Sequence, residues 1–234
     1  RGMSSAASDV YKRQDLKIIW SQKIRIGINL RMAQKLRFKP WKATNNLIKM
    51  INLEDRIFRY FQESIEITMH IGEKFTQEII NAVDIISTSL LSDGTIFTYG
   101  ENEASMVSNF ISTRLTTGCS IDRPPFKCLN INQTSSFNTQ SRLLSSHSKK
   151  SDVLVTIFNK NMSDNMSNLL KIANDSELSV ISISAFENKN LSQLELYNKV
   201  IINLNGISKS ALILAEIEIS RCMCSLIEES IFGV

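Results

Sequence analysis

An alternation of short β-rich runs with longer helical stretches dominates the chain after Asp93-Gly94. Runs rich in Val, Ile, Phe and Thr are typical of strands, whereas apolar residues that recur every three or four positions are typical of helices. Strands that alternate with helices predict βαβ units, and a series of such units predicts an α/β fold around a parallel sheet. The predicted strands cover residues 95–99, 126–131, 152–158, 178–184 and 199–204.

Helical periodicity is present both before and between the predicted strands. Between Leu53 and Leu91 the apolar pattern predicts two amphipathic helices with a break near Gly72. The stretch 133–151 is polar and Ser-rich, which predicts a loop with at most a short helix. Further helices are predicted at about 103–117, 163–175 and 208–231, with a weaker one near 190–197.

The first 49 residues differ from the rest of the chain in charge. They hold twelve of the 27 Lys and Arg residues but two of the 23 Asp and Glu residues, so this segment is basic and the remainder is acidic. The opening RGMSSAASDVYKRQ resembles translated adapter sequence, and Met50 would make a natural start. We therefore expect one domain at 50–234 and interpret 1–49 as an artefactual or disordered segment. The alternatives are a native basic tail and a nucleic-acid arm with Trp20 and Trp41.

The composition argues against several classes of protein. No run of eighteen apolar residues occurs and the first thirty residues lack the apolar stretch of a signal peptide, which predicts a cytoplasmic protein. The cysteines, at positions 119, 128, 222 and 224, form no CxxC pair, and the chain has 2 histidines. We therefore expect reduced thiols, no metal and no cofactor.

Five short motifs follow one another along residues 50–234. They are LEDRIFRYFQESI at 53–65, SLLSDGTI at 89–96, Arg123-Pro124, SDVLVTI at 151–157 and SRCMCSLIEESIF at 220–232. In sequence and order they resemble the phosphoheptose isomerase branch of the sugar isomerase (SIS) family, and within it the DnaA initiator-associating, or DiaA-like, proteins. This resemblance implies a three-layer α/β/α sandwich with a five-stranded parallel sheet, preceded by two N-terminal helices. It also implies a homotetramer or dimer, in agreement with the broad apolar face of the last predicted helix.

Two loops of this family hold a sugar phosphate. The first has the form G-N-G-G-S-A in the family and GENEAS over 100–105 here, where two glutamates would repel a phosphate. The second has the form S-T-S-G-N-S in the family and FNKNMS over 158–163 here. The kept Ser163 is interpreted as a helix N-cap in preference to a ligand. The resemblance implies phosphate-loop remnants at Gly100, Asn102, Ser105, Asn159 and Ser163.

Isomerisation of a ketose phosphate requires an acid and a base that move a proton between adjacent carbons. The isomerases of this family carry that pair in a Q-E-x-H cluster on the closing helix, and the matching positions here are Ile213, Leu214 and Glu216. Aliphatic side chains transfer no protons, so we expect no catalytic residue and interpret the chain as a non-catalytic relative. Glu216 and Glu218 are interpreted as a solvated or interface face of the helix.

The resemblance implies a function in binding. Initiator-associating proteins bind the replication initiator DnaA and promote its assembly at the chromosomal origin, and a Leu-Phe pair at the tail of their closing helix contacts DnaA. Ile231 and Phe232 match that pair here, although Phe232 could instead cover its own core. The alternatives are a phosphoheptose isomerase that acts on sedoheptulose 7-phosphate and a sensor that binds a sugar phosphate without turnover. We expect neither a membrane partner nor direct contact with nucleic acid.

Overall fold

The computed structural model describes residues 40–134, 136–185 and 196–233, with side chains from Leu53 onwards. Its contacts divide the chain between Tyr60 and Phe61, and the second unit holds every strand named here. The elements, in chain order, are α1 (Pro40–Lys74), α2 (Thr76–Leu91), β1 (Ile96–Gly100), α3 (Ser105–Thr117), β2 (Cys128–Asn130), α4 (Phe137–His147), β3 (Val153–Phe158), α5 (Asp164–Asp175), β4 (Ser179–Ser184), β5 (Asn198–Asn203) and α6 (Lys209–Phe232).

The five strands form one parallel sheet in the order β2-β1-β3-β4-β5. Each predicted strand is present close to its predicted position, so the α/β prediction is confirmed. The pairing of β1 with β3 puts Thr98 opposite Val155, and the pairing of β3 with β4 puts Val155 opposite Ile181. All three residues are buried, as expected when helices cover both faces of a parallel sheet.

Alternate residues of the central strand β3 point into two separate apolar cores. Val153, Val155 and Ile157 join the core formed with α2, α3 and α6. Leu154 and Phe158 join the core formed with α4 and α5. Because successive side chains of a strand point to opposite faces, helices cover both sides of the sheet. The fold is therefore the predicted three-layer α/β/α sandwich.

The helices before the sheet differ from the prediction in their limits. α1 begins at Pro40, well before the predicted start at Leu53, and the helical break predicted near Gly72 falls at Phe75. Proline is tolerated in the first turn of a helix, where its missing N–H costs no hydrogen bond. Phe75 is buried, and its N–H still donates to the carbonyl oxygen of Ile71, so the break coincides with a core contact.

The Ser-rich stretch 133–151 contains α4, a helix of 11 residues, which is more than the loop with a short helix that the sequence predicts. Ser136 caps it by accepting a hydrogen bond from the N–H of Thr139 (3.3 Å), and Leu144 is completely buried. Burial of an apolar residue outweighs the weak helix propensity of serine. The helix predicted near 190–197 lies almost entirely outside the described residues.

Candidate functional site

The order of the strands places a crevice at the carboxyl ends of β1 and β3. After β1 the chain crosses to β2 on one side, and after β3 it crosses to β4 on the other side. The loops that leave these neighbouring strands therefore diverge, and ligands of open α/β sheets bind in the crevice between such loops. Here the loops are 101–104 and 159–163, and the predicted phosphate-loop remnants lie in them or next to them.

Gly100 ends β1 where the backbone turns sharply. A Cβ atom at this position would lie 2.3 Å from the carbonyl oxygen of Ala104, so the turn requires glycine. Asn132 stabilises the turn through two hydrogen bonds. Its Nδ2 donates to the Gly100 carbonyl oxygen (2.7 Å), and its Oδ1 accepts from the Gly100 N–H (2.8 Å). The N–H that could approach a phosphate is thus already bonded within the protein. Sequence reasoning missed Asn132, whose one signal is its place directly after a predicted strand.

Asn102 and Ser105 complete the first loop. Asn102 has a positive φ of 52°, a conformation that Asn adopts more readily than most residues. The Ser105 hydroxyl donates to the carbonyl oxygen of Asn102 (2.6 Å). The structure therefore places both predicted residues in bonds and turns that stabilise the loop itself.

Ser163, in the second loop, is the N-cap of α5. Its hydroxyl oxygen accepts a hydrogen bond from the N–H of Met166 (3.1 Å), and its O–H donates to Oε1 of Glu101. The N-terminus of a helix carries partial positive charge and binds phosphates for that reason. Glu101 thus places its own carboxylate beside the serine and the helix end that would hold an anion. The sequence indicates only that the charge of Glu101 in the first loop would repel an anion. The structure shows in addition that Glu101 forms a hydrogen bond across the crevice with Ser163 in the second loop.

Glu216, on α6, meets the loop that follows β3. It is completely buried, so its interpretation as part of a solvated or interface helix face is wrong. Its Oε2 accepts a hydrogen bond from Asn159 Nδ2 (3.5 Å), whereas its Oε1 and the Oδ1 of Asn159 have no hydrogen-bond partner among the described residues. Burial raises the pKa of Glu216 to about 7 against the opposing bond from Asn159, and the charge of Glu103 adds to the rise. Glu218, by contrast, pairs with Arg221 (Oε2 to Nη2, 2.8 Å).

A carboxyl group that ionises near neutral pH can exchange a proton with a ligand. Isomerisation needs a second proton-transfer group, and the two positions predicted to match the isomerases' other catalytic residues hold the aliphatic Ile213 and Leu214. Glu216 therefore offers one proton-transfer group at the crevice.

The tail of α6 carries the predicted partner contact. Phe232 is 44% exposed, and its ring stacks on that of Phe126 with centroids 5.9 Å apart and planes inclined by 20°. Ile231 is half-buried and packs against the apolar core. The two predicted residues therefore differ in role, since Ile231 anchors the helix end and Phe232 presents an aromatic ring at the surface.

A buried ion pair holds this tail to the loop between α3 and β2. Arg123 Nε lies 2.9 Å from Glu228 Oε1, and each of the two side chains is 2% exposed. Arg123 also donates to carbonyl oxygens in the last turn of α3, those of Leu115 (3.0 Å) and Arg114 (3.3 Å). Its guanidinium lies 3.7 Å from the centroid of the Phe126 ring. Sequence reasoning matched Arg123 to the family but missed its partner, which lies 105 residues away along the chain.

Glu228 is further stabilised by backbone donors. Its carboxylate accepts hydrogen bonds from the N–H groups of Cys119 (2.6 Å) and Ser120 (3.0 Å). Burial opposes its ionisation, but these two donors and the guanidinium of Arg123 outweigh burial and hold the pKa of Glu228 below its usual value. Glu228 is therefore a charged, fully bonded carboxylate, unlike Glu216.

The described residues include no group of three or more His, Cys, Asp or Glu side chains that could hold a metal ion. The four cysteines are free thiols. Within the described ranges, no helix is long and apolar enough to cross a membrane.

The chain resembles curated phosphoheptose isomerases in sequence, although no protein-family model matches it. The chain is 21% identical to the phosphoheptose isomerase of Alkalilimnicola ehrlichii over 197 residues, which cover 78% of this chain and 99% of that protein. It is 23% identical to the phosphoheptose isomerase of Azoarcus sp. over 148 residues, which cover 57% of this chain and 74% of that protein.

Solved structures of phosphoheptose isomerases share the fold. The one from Neisseria gonorrhoeae has a TM-score of 0.65 at 17% identity and covers 76% of this chain and 99% of its own. The one from Francisella tularensis has a TM-score of 0.65 at 16% identity and covers 75% of this chain and 97% of its own. The narrower resemblance to initiator-associating proteins stays a prediction. In sequence this chain is similar to phosphoheptose isomerases, and it shares their fold, a SIS domain.

Proposed function

We propose that this chain is a non-catalytic SIS-domain protein that binds the replication initiator DnaA through the tail of α6 and promotes DnaA assembly at the chromosomal origin. The partner follows from the resemblance of residues 220–232 to the closing helix of initiator-associating proteins. In this proposal the protein acts as a homo-oligomer that presents several copies of the same contact.

The observation that carries the proposal is the exposed ring of Phe232, which stacks on Phe126. Aromatic side chains are frequent anchors of protein interfaces, because they bury a large area and lose little conformational entropy on binding. Phe232 stacks on Phe126, which in turn lies against the buried guanidinium of Arg123. This support holds the ring in place before a partner arrives, which reduces the entropy cost of association.

The hydrogen bonds within the crevice support a function that does not involve isomerisation of a sugar phosphate. Glu101 bonds to Ser163 at the helix end that would hold a phosphate, and Asn132 occupies the N–H of Gly100. A sugar phosphate would have to displace the carboxylate of Glu101 and overcome its charge. The same contact argues against a sugar-phosphate sensor.

The proposal is tested by measuring binding of purified DnaA to the immobilised full chain, to Phe232→Ala and to Leu91→Ala. Leu91 is a matched control because it is also an exposed apolar residue (71%) and lies at the end of another helix. We expect Phe232→Ala to bind at least about 30-fold more weakly, since truncation of an aromatic anchor costs about 2 kcal/mol or more. We expect Leu91→Ala to bind as the unchanged chain does.

Light scattering checks that both variants have the same oligomeric mass as the unchanged chain, and urea unfolding checks that they are folded with the same stability. The proposal fails if the folded, unchanged chain does not bind DnaA. It also fails if Phe232→Ala and Leu91→Ala bind DnaA equally well.

A phosphoheptose isomerase is the second candidate, and Glu216 is the observation that favours it. A buried carboxyl with a pKa of about 7 is suited to proton transfer at neutral pH. The test is turnover of sedoheptulose 7-phosphate by the full chain and by Glu216→Gln. We expect no turnover by either protein. Turnover that Glu216→Gln abolishes would replace the non-catalytic proposal with this one.

A further inference from the structure

A cavity opens at the edge of the sheet opposite to the crevice. It is lined by the first residues of three strands, Val153 of β3, Ser179 of β4 and Asn198 of β5, and by residues in the last turns of α2. Because parallel strands all begin at the same edge of a sheet, this cavity is separate from the crevice at their carboxyl ends. Its volume of about 290 Å³ is close to the lower limit of typical small-molecule sites, about 300–1,000 Å³.

Side chains that carry hydroxyl groups predominate in the lining of this cavity. Five of its residues are of this kind: Thr88, Ser89, Ser92, Ser151 and Ser179. Asn198 adds a carboxamide, whose Nδ2 donates a hydrogen bond to Ser179 Oγ (3.2 Å). Hydroxyl and carboxamide groups can each donate and accept hydrogen bonds. The cavity therefore suits a ligand that donates and accepts at several positions, as a compound with several hydroxyl groups does.

Ser89 supplies a buried hydroxyl group to this lining. The residue is 5% exposed, and its Oγ has no hydrogen-bond partner among the described residues. It packs closely on Gly94, where a Cβ atom would collide with the Ser89 Oγ, so glycine leaves room for the hydroxyl. A buried hydroxyl without a hydrogen bond destabilises a protein, so a ligand that bonds to Ser89 Oγ would remove that cost.

The charges around the cavity favour a neutral ligand. Asp84 and Lys150 line it with opposite charges, and Lys150 Nζ already pairs with Glu177 Oε2 (2.6 Å). The cavity also adjoins the C-terminal end of α2, where the last carbonyl groups carry partial negative charge and disfavour an anion. Ile85 and Val153 add apolar surface that the C–H groups of a small ring can contact. A sugar phosphate is therefore less suited to this cavity than an uncharged sugar or cyclitol.

We propose that this cavity is a binding site for a small, neutral compound with several hydroxyl groups, such as a cyclitol or a monosaccharide without phosphate. The ligand hydroxyls exchange hydrogen bonds with Ser89 Oγ, the hydroxyl of Ser151 and the carboxamide of Asn198, and its ring lies against Ile85 and Val153. The site shares no residue with the crevice or with the tail of α6. The inference is therefore independent of the proposed binding of DnaA.

The test is saturation-transfer NMR with the full chain and four probes: glycerol, myo-inositol, D-glucose and D-mannitol. We expect at least one of them to bind with a dissociation constant that a titration can measure. Ser89→Ala should weaken that binding about 5-fold, the change expected for loss of one typical hydrogen bond. Ser87→Ala is the matched control and should bind as the unchanged chain does. Ser87 is also buried in α2 (4% exposed) and its Oγ also lacks a partner among the described residues, but it does not line the cavity.

A larger side chain tests the position of the site without relying on one hydroxyl group. Thr88 is exposed on α2, so Thr88→Trp should fold, fill part of the cavity and weaken binding at least about 10-fold. Ile80→Trp is its control, at an exposed position (43%) of the same helix that lies outside the cavity, and it should leave binding unchanged. Urea unfolding checks that all four variants are folded.

Four results would each overturn the inference. The first is that none of the four compounds binds the folded, unchanged chain. The second is that Ser89→Ala and Ser87→Ala bind equally well, and the third is that Thr88→Trp and Ile80→Trp do so. The fourth is that inorganic phosphate displaces the bound compound, because the site would then accept an anion.

Discussion

Replacement of Glu216 by Gln should make the protein more stable near pH 8 and have a much smaller effect on its stability near pH 5. The pKa of Glu216 rises from the usual 4.5 to about 7 in the folded protein, chiefly because the carboxyl is buried. The unfolded chain therefore ionises first, so ionisation favours unfolding as the pH rises from 4.5 to about 7, and no further loss follows above that pH. The difference corresponds to up to about 3 kcal/mol of unfolding free energy.

Gln is suited to this test because it has nearly the same shape as Glu and no charge. Its Oε1 can accept the hydrogen bond that Asn159 Nδ2 donates to Glu216. Its amide can also donate to Asn159 Oδ1, which has no hydrogen-bond partner among the described residues. The variant therefore removes the cost of a buried charge without leaving a cavity or an unbonded group.

The assay is urea unfolding of the unchanged chain, Glu216→Gln and Glu218→Gln at several pH values between about 5 and 8. Glu218 is the control, since it lies on the same helix and pairs with Arg221 outside the crevice. We expect the stability gained by Glu216→Gln to grow from about 1 kcal/mol to about 3 kcal/mol across this range, while Glu218→Gln follows the unchanged chain. A gain that does not vary with pH, or a Gln variant that is less stable near pH 8, would refute the reasoning.

Three further changes test contacts elsewhere in the protein. Glu228→Ala leaves Arg123 buried without its partner and should lower the free energy of unfolding in urea by about 3–5 kcal/mol, so a loss below about 1 kcal/mol would contradict a buried pair. Glu101→Ser frees the Ser163 hydroxyl and should raise the affinity for inorganic phosphate at least about 10-fold, as measured by calorimetry. Equal affinities of the variant and the unchanged chain would show that the Glu101 carboxylate does not hinder phosphate binding. Ile65→Glu puts a charge on an exposed apolar face of α1 and should lower the mass measured by light scattering, with Gln62→Glu on the same helix as control. An unchanged mass for Ile65→Glu would exclude this face as the subunit contact.

Much of the fold could be predicted from local patterns. The five strands are short apolar runs between turns, and helices alternate with them, so the sequence predicts a parallel sheet covered on both faces. The helix α4 departs from this because its residues are mostly serines and polar residues, and it is held by a cap at Ser136 and by the burial of Leu144. The spacing of apolar residues along the sequence reveals neither the cap nor the burial.

The candidate site is less accessible to sequence reasoning because its contacts join distant parts of the chain. Glu101 and Ser163 are 62 residues apart, Gly100 and Asn132 are 32 apart, and Asn159 is 57 residues from Glu216. The motifs identify the first loop and Ser163 in the sequence. The charge of Glu101 in that loop indicates that an anion would be repelled, but it does not indicate a hydrogen bond between Glu101 and Ser163. Glu216 lies on a helix whose sequence is compatible with a solvated face, and only packing shows that its carboxyl is buried.

The sequence by itself determined the succession of elements, the parallel sheet, the aliphatic character of Ile213 and Leu214, and an aromatic residue at the helix tail. These follow from residue identity and from spacing over a few positions, which local steric and hydrophobic preferences control. Only the tertiary structure decided that Glu101 bonds to Ser163, that Glu216 is buried with a raised pKa, and that Arg123 joins Glu228 beneath Phe126. The reason is that the order of the strands brings their loops and α6 together, and side-chain bonds, burial and charge arise from that proximity in space.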